Sequence, residues 1–407
     1  MLDVKACRRQ FPALHGQRNG RTPIFLDGPG GTQVPRRVID AIVHYLSTCN
    51  ANHGGVFATS QESDRILAEA HQAVADLLHA PSADEIIFGQ NMTTLTLHLS
   101  RSLAQTWRPG DEVLVTRLDH DANVSPWVLA ARDAGATVRF IDVHPEDCTL
   151  DLDSLRRLLN DRTRLVAVGC ASNAVGTFND VARLTRWAHE VRALAFLDAV
   201  HYAPHGPMDV QAWDCDFLAC SAYKFFGPHV GILWGKRRLL EELPAYKVRP
   251  APDSLPGRWM TGTQNHEGLA GVVAAIDYLA ELGAGTSRRE RLYSGLLTVQ
   301  EYERRLGGQL LAALAERPQF KVWGITDKSR LTERVPTVSI TSRQHTPQEL
   351  AERLAAAQIY TWNGNMYALG LSGRLGVEGR GGFLRLGLVH YNTAAEVEEL
   401  MRVLDAP

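Results

Sequence analysis

Lys224 stands between aromatic residues in Ser221-Ala222-Tyr223-Lys224-Phe225-Phe226, just past the apolar run Phe217–Ser221. The chain meets its cationic needs with arginine: of 43 basic residues only six are lysines. An amine can condense with a carbonyl and a guanidinium cannot, so a lysine in this setting points to Schiff-base chemistry. Apolar neighbours would lower its pKa and help that step. Asp198 closes a second apolar run, Leu194-Ala195-Phe196-Leu197-Asp198. A carboxylate is costly to bury unpaired, and a pyridinium N–H is one partner that would satisfy it. An amine and an anion at the ends of two neighbouring runs are what pyridoxal 5′-phosphate (PLP) asks of a protein.

PLP also needs a phosphate cradle and a face against its ring. Asn91-Met92-Thr93-Thr94 follows Ile86-Ile87-Phe88 and opens a helical pattern. Free N–H groups at such a helix start, with the Thr93 hydroxyl, make an anion site. Ser221 is placed to add a hydroxyl, and His120 in Leu118-Asp119-His120-Asp121-Ala122-Asn123 has a ring to lay on the cofactor. Each residue alone has a plain structural reading. Lys224 can snorkel out of a strand end, Asp198 and Thr93 can cap helices, and His120 can be a surface residue. Together they favour the cofactor.

The elements that must hold these residues are strands alternating with helices. Apolar runs predict strands at Glu85–Gly89, Glu112–Arg117, Thr137–Val143, Arg164–Gly169, Ala193–Asp198, Phe217–Ser221 and Val230–Trp234. Amphipathic stretches between them, Thr93–Trp107, Pro126–Ala134, Leu152–Leu159 and Val181–Val191, predict helices. This pattern predicts an α/β fold with a mostly parallel seven-stranded sheet covered on both faces. Ligands bind beyond the carboxyl ends of such strands, where Asn91 to Thr94, His120, Asn173, Asp198 and Lys224 fall. After a Pro/Gly-containing connection from Pro250 to Gly257, helices are expected at Glu267–Leu282 and Leu297–Glu316. Strands near Val335–Thr341, Ile359–Trp362 and Phe383–Leu388 and a helix from about Thr393 complete a smaller α+β unit. The expected organisation is an N-terminal segment over 1–20, a large cofactor-binding domain over 21–262, and interdomain helices with a small C-terminal domain over 263–407.

Composition narrows the partners. A net charge of −2 offers no electrostatic case for nucleic acid or an anionic membrane. No apolar run reaches the roughly 18 to 20 residues of a membrane helix. Six scattered cysteines without a C-x-x-C pair suggest neither a metal site nor a disulfide framework, and the expected compartment is the reducing cytoplasm.

The chain resembles the class V aminotransferases of PLP fold type I, in particular the cysteine desulfurase-like branch. The resemblance runs from Phe25-Leu26-Asp27-Gly28-Pro29-Gly30-Gly31-Thr32 to His390-Tyr391-Asn392-Thr393. Its strongest pieces are Asp198-Ala199-Val200-His201, Ser221-Ala222-Tyr223-Lys224, Asp119-His120-Asp121-Ala122-Asn123 and Ser172-Asn173-Ala174-Val175-Gly176-Thr177. It implies that Lys224 carries the cofactor, Asp198 faces its pyridine nitrogen and His120 stacks on its ring. His201 would face the 3′-oxygen, where the family commonly has Gln, and Asn173 would contact cofactor and substrate. Thr93 and Ser221 match phosphate ligands, with Met92 and Tyr223 beside them in the same motifs. Thr263 matches a residue that reaches the phosphate of the neighbouring subunit, which implies a homodimer with its active site at the interface. Arg385 matches the arginine that grips the substrate α-carboxylate, a role suited to a guanidinium fork.

One departure bears on function. Where desulfurases carry the cysteine that takes up sulfur as a persulfide, Trp362-Asn363-Gly364-Asn365-Met366-Tyr367-Ala368 has Tyr367, and no cysteine follows Cys220. Trp362 stands where an arginine often sits, which implies a less polar substrate pocket. The expected activity is removal of the Cα proton of an amino acid by Lys224, then elimination at Cβ: a C–S lyase acting on cysteine or a cysteine conjugate without a protein persulfide. Tyr367 would assist the leaving atom or merely fill the pocket. Transamination, epimerisation and true desulfuration are the enzymatic alternatives, and a sulfur-trafficking scaffold is the non-enzymatic one. The set Lys224, Asp198, His120 and Arg385 argues against a scaffold.

Overall fold

The computed structural model describes residues 2–406. All seven expected strands form at their expected places and join one sheet. Its spatial order is Ile86–Gly89, Gly231–Gly235, Phe217–Ser221, Leu194–Asp198, Thr163–Gly169, Glu112–Thr116, Thr137–Ile141. Gly231–Gly235 runs antiparallel to both neighbours, and the other pairings are parallel. Side chains alternate across a strand, so each continuous apolar run feeds two cores. Phe88, Leu114, Val166, Leu197, Leu218 and Ile232 enter one. Ile87, Val113, Leu165, Phe196, Phe217 and Leu233 enter the other.

A four-stranded antiparallel sheet, in the order Trp362–Gly364, Phe383–Gly387, Thr337–Ser342, Phe320–Trp323, forms the smaller unit. Its core takes Leu306 and Leu310 from the long helix and Leu400 from the last one. That last helix, Ala394–Leu404, is capped at Thr393 as expected, with Glu396 closing a capping box.

Three features differ from the sequence reading. The helix expected from Leu297 spans Arg288–Ala315, because Ser287 and Glu290 form a capping box a full two turns earlier. The strand expected at Ile359–Trp362 is broken at Thr361. Ile359–Tyr360 pairs in parallel with Ile24–Phe25, while Trp362–Gly364 pairs with Phe383–Gly387. Phe320–Trp323 is an additional edge strand. Leu26 enters the core of the small unit, so the chain passes from that unit directly into Asp27–Gly31 at the mouth between the two sheets. No helix among the described residues is long and apolar enough to cross a membrane.

Candidate active site

A cavity of about 420 Å³ opens at the carboxyl ends of the parallel strands. It gathers Met92, Thr93, His120, Asn173, Asp198, His201, Ser221, Tyr223 and Lys224 from the large sheet and its loops, and Trp362, Tyr367 and Arg385 from the small unit. Thr263 lies elsewhere, exposed in the loop before the helix His266–Glu281.

Lys224 sits in a single turn just after Phe217–Ser221, its amine 4.7 Å from the centre of the Tyr223 ring and donating to the Pro29 carbonyl. Burial pushes its pKa down to about 7; the Arg385 cation adds to that shift and Asp198 opposes it. Asp198 ends its strand and accepts from the Val200 N–H at 2.9 Å. Burial raises its carboxyl to about 6. Asp119 lines the same cavity and was not singled out from the sequence. It accepts from the Gly169 N–H at 3.0 Å and from Asn123 Nδ2 at 2.9 Å. Burial first, then the charge of Asp198, brings it to about 7. The Asp198 charge beside Asp119 favours a cation at this end of the cavity.

His120 Nδ1 accepts from the Ala122 N–H at 3.0 Å. Burial, with the Lys224 and Arg385 charges, lowers its pKa to about 4 and keeps the ring neutral. His201 Nε2 meets Thr337 Oγ1 at 2.9 Å, and burial keeps that imidazole neutral too. Ser221 Oγ accepts from the Met92 N–H at 3.2 Å, which ties the end of one strand to the start of the helix Met92–Ala104. Thr93 lies one residue further along, at the helix terminus where N–H groups are free.

Arg385 is buried, yet its Nε has no protein partner; Nη1 donates to the Asn173 carbonyl at 2.9 Å. Burial lowers its pKa to about 10 against the pull of Asp27. Asn173 donates from Nδ2 to the Met366 carbonyl at 2.8 Å and leaves Oδ1 buried and unpaired. Buried polar atoms are normally paired, so Arg385 Nε and Asn173 Oδ1 mark where a polar ligand belongs. The sequence missed the clamp on the facing loop. Asp121 N–H donates to the Tyr367 carbonyl at 2.8 Å, and Asn365 Oδ1 accepts from the Tyr367 N–H at 3.0 Å. Nothing in residue type announces a bond to a loop carbonyl.

Residues 24–400 match the family model for class-V aminotransferases. The chain belongs to that family. The aminotransferase-like protein FGM3 of Gibberella zeae is 32% identical over 99% of this chain and 98% of its own length. A cysteine desulfurase of Yersinia pestis is 31% identical over 98% and 96%. Among solved structures, the cysteine desulfurase CsdA of Escherichia coli superposes with a TM-score of 0.85 at 27% identity, covering 100% of this chain and 98% of that one. The cysteine desulfurase of Thermococcus onnurineus superposes with a TM-score of 0.88 at 25% identity, with the same coverage. The class-V aminotransferases use PLP, and this cavity fits it. A deprotonatable buried lysine, a buried carboxyl without a cationic hydrogen-bond partner, a neutral imidazole face and two orphaned polar atoms all line one space.

Proposed function

We propose that this class-V aminotransferase is a PLP-dependent lyase that eliminates the Cβ substituent of an amino acid, acting as a C–S lyase on cysteine or a cysteine conjugate without a protein persulfide. The observation that carries the reading is that no thiol lines the cavity. All six cysteines are buried, none lines the cavity, and an exposed tyrosine, Tyr367, stands at its mouth. Burial raises the thiols of Cys7, Cys148, Cys170, Cys215 and Cys220 above their usual range, away from the nucleophilic thiolate.

When bound, PLP supplies an electron sink that lets Cα give up its proton. Lys224 would hold the cofactor and then, freed as a neutral amine, take the Cα proton. Asp198 would keep the pyridine nitrogen protonated. His120 would cover one face of the ring, and His201 would face the 3′-oxygen. Thr93, the helix start at Met92 and Ser221 would hold the phosphate. Arg385 would hold the α-carboxylate through the Nε that lacks a partner, and Asn173 Oδ1, an acceptor, would take a hydrogen bond from an N–H of the substrate or cofactor. The Tyr367 hydroxyl would hand a proton to the departing sulfur. The C–S bond breaks, sulfur leaves as a thiol, and water converts the three-carbon remainder to pyruvate and ammonia, with no net change in oxidation state.

The reading includes a homodimer. Thr263 is exposed outside its own cavity, and Val43, Leu46, Val56 and Phe57 leave apolar surface open near the N-terminal helices. A two-fold partner would cover such surface and bring Thr263 to the other phosphate site.

The test is product stoichiometry on S-substituted cysteines. Elimination yields pyruvate, ammonia and thiol in equal amounts. A keto acid retaining the sulfur substituent, with amino group left on the cofactor, would identify transamination and overturn the proposal.

A further inference from the structure

Trp362 and Arg385 face each other directly across two antiparallel strands. Directly opposed residues project from the same face of a sheet, with Cβ atoms roughly 4.5–5.5 Å apart. The Arg385 guanidinium is buried at the cavity, whereas Trp362 remains 52% exposed at its mouth. One edge of the indole is seated on Gly30, where an added Cβ would collide with Nε1 and stand 2.8 Å from Cδ1. A glycine at that position therefore lets the indole lean over the opening. Across the mouth, Tyr367 is 69% exposed, its ring parallel to His120 at 5.3 Å and 11°.

No charged side chain occurs from Trp362 through Tyr367. The ionic group that touches this stretch is the Glu378 carboxylate, which accepts from Asn365 Nδ2 at 2.8 Å. Two large aromatic surfaces left in water at a cavity mouth gain by being covered with another apolar surface. With Arg385 occupied by the α-carboxylate, a second anion there would find no cation on this stretch and would face the Glu378 carboxylate.

We infer that the substrate's Cβ substituent ends in a flat, uncharged apolar or aromatic group laid against Trp362. The inference rests on the reading that Arg385 holds an amino acid's α-carboxylate, because that contact fixes the substituent beside its cross-strand neighbour. Trp362 thus selects the substrate class, and Tyr367 closes the other side.

The holoenzyme is tested with S-benzyl-, S-methyl- and S-carboxymethyl-L-cysteine. Dissociation constants are read from the change in the cofactor's visible absorbance, and kcat/KM from pyruvate. The benzyl compound is expected to bind about 10- to 100-fold more tightly than the methyl compound, the range that burying an aromatic side group against an aromatic plate provides. The carboxymethyl compound should bind more weakly than either. Trp362→Ala should bring the benzyl-to-methyl ratio of dissociation constants to within a few-fold, and Trp362→Phe should restore most of it. Equal dissociation constants for benzyl and methyl compounds in the parent, or a ratio that survives Trp362→Ala, would overturn the inference. A benzyl preference in binding without pyruvate would support it while sinking the elimination reading. Pyruvate from all three compounds with equal kcat/KM would do the reverse.

Discussion

Lys224 owes its altered basicity to its place more than to its neighbours' charges, since burial is the largest cause of the shift to about 7. Condensation with a carbonyl requires the free amine. The shift is downward, so the free-base fraction rises as pH climbs through about 7 and levels off above it. An ordinary lysine would go on gaining free base up to about 10.4. The rate of covalent cofactor attachment to stripped protein, followed by visible absorbance, should therefore climb with a midpoint near pH 7 and be flat from pH 8 to 9. A rate still rising about tenfold per pH unit across that interval would mean an unperturbed amine. The signal for this residue was present in the sequence, because a lysine amid aromatics in an arginine-rich chain stands out. Asp119 gave no comparable signal. Its place beside Asp198 arises from the pairing of Thr163–Gly169 with both neighbouring strands, which brings the Gly169 N–H to its carboxylate.

The strand Trp362–Gly364 and the loop after it form the element that closes the site. Met366 and Tyr367 are consecutive non-glycine residues with φ of 59° and 57°. Each costs roughly 1–2 kcal/mol relative to right-handed backbone, so the loop needs fixed partners. Asn365 supplies two: Oδ1 takes the Tyr367 N–H, and Nδ2 reaches Glu378. Asn365→Ala removes both, a loss of roughly 1 kcal/mol for each net hydrogen bond. The expected result is faster proteolytic nicking between residues 362 and 368 and a KM for the amino acid raised about five- to tenfold, with cofactor content unchanged. A variant that matches the parent in both measurements would show that the loop holds itself without Asn365. Elements of this kind explain where sequence reading stopped. The strands of the large sheet were legible as uninterrupted apolar runs bounded by turns. The break at Thr361 was not, because it depends on Ile24–Phe25, a pairing partner more than three hundred residues away in the chain. The start of the long helix was hidden because Arg288, Arg289 and Glu290 carry no apolar stripe to announce it.

At the scale of the whole molecule, chemistry is divided between two sheets. The large one positions Lys224, Asp198, His120 and the helix start at Met92, and the small one brings Arg385, Trp362 and Tyr367 against them. The cysteines follow a different distribution: all six lie in the first 220 residues, buried, and none lines the cavity. A persulfide relay needs a thiolate that can reach the reacting sulfur, and none of the six cysteines lines the cavity. The central claim is therefore tested most directly by the intact mass of the holoenzyme after turnover with cysteine, taken after alkylating quench and with pyruvate and sulfide measured in the same sample. The proposed lyase gives pyruvate and free sulfide in equal amounts and a protein mass with no added sulfur. A stoichiometric persulfide on the protein, formed with alanine in place of pyruvate and lost on substituting one of Cys7, Cys49, Cys148, Cys170, Cys215 or Cys220, would contradict the account and make the chain a desulfurase.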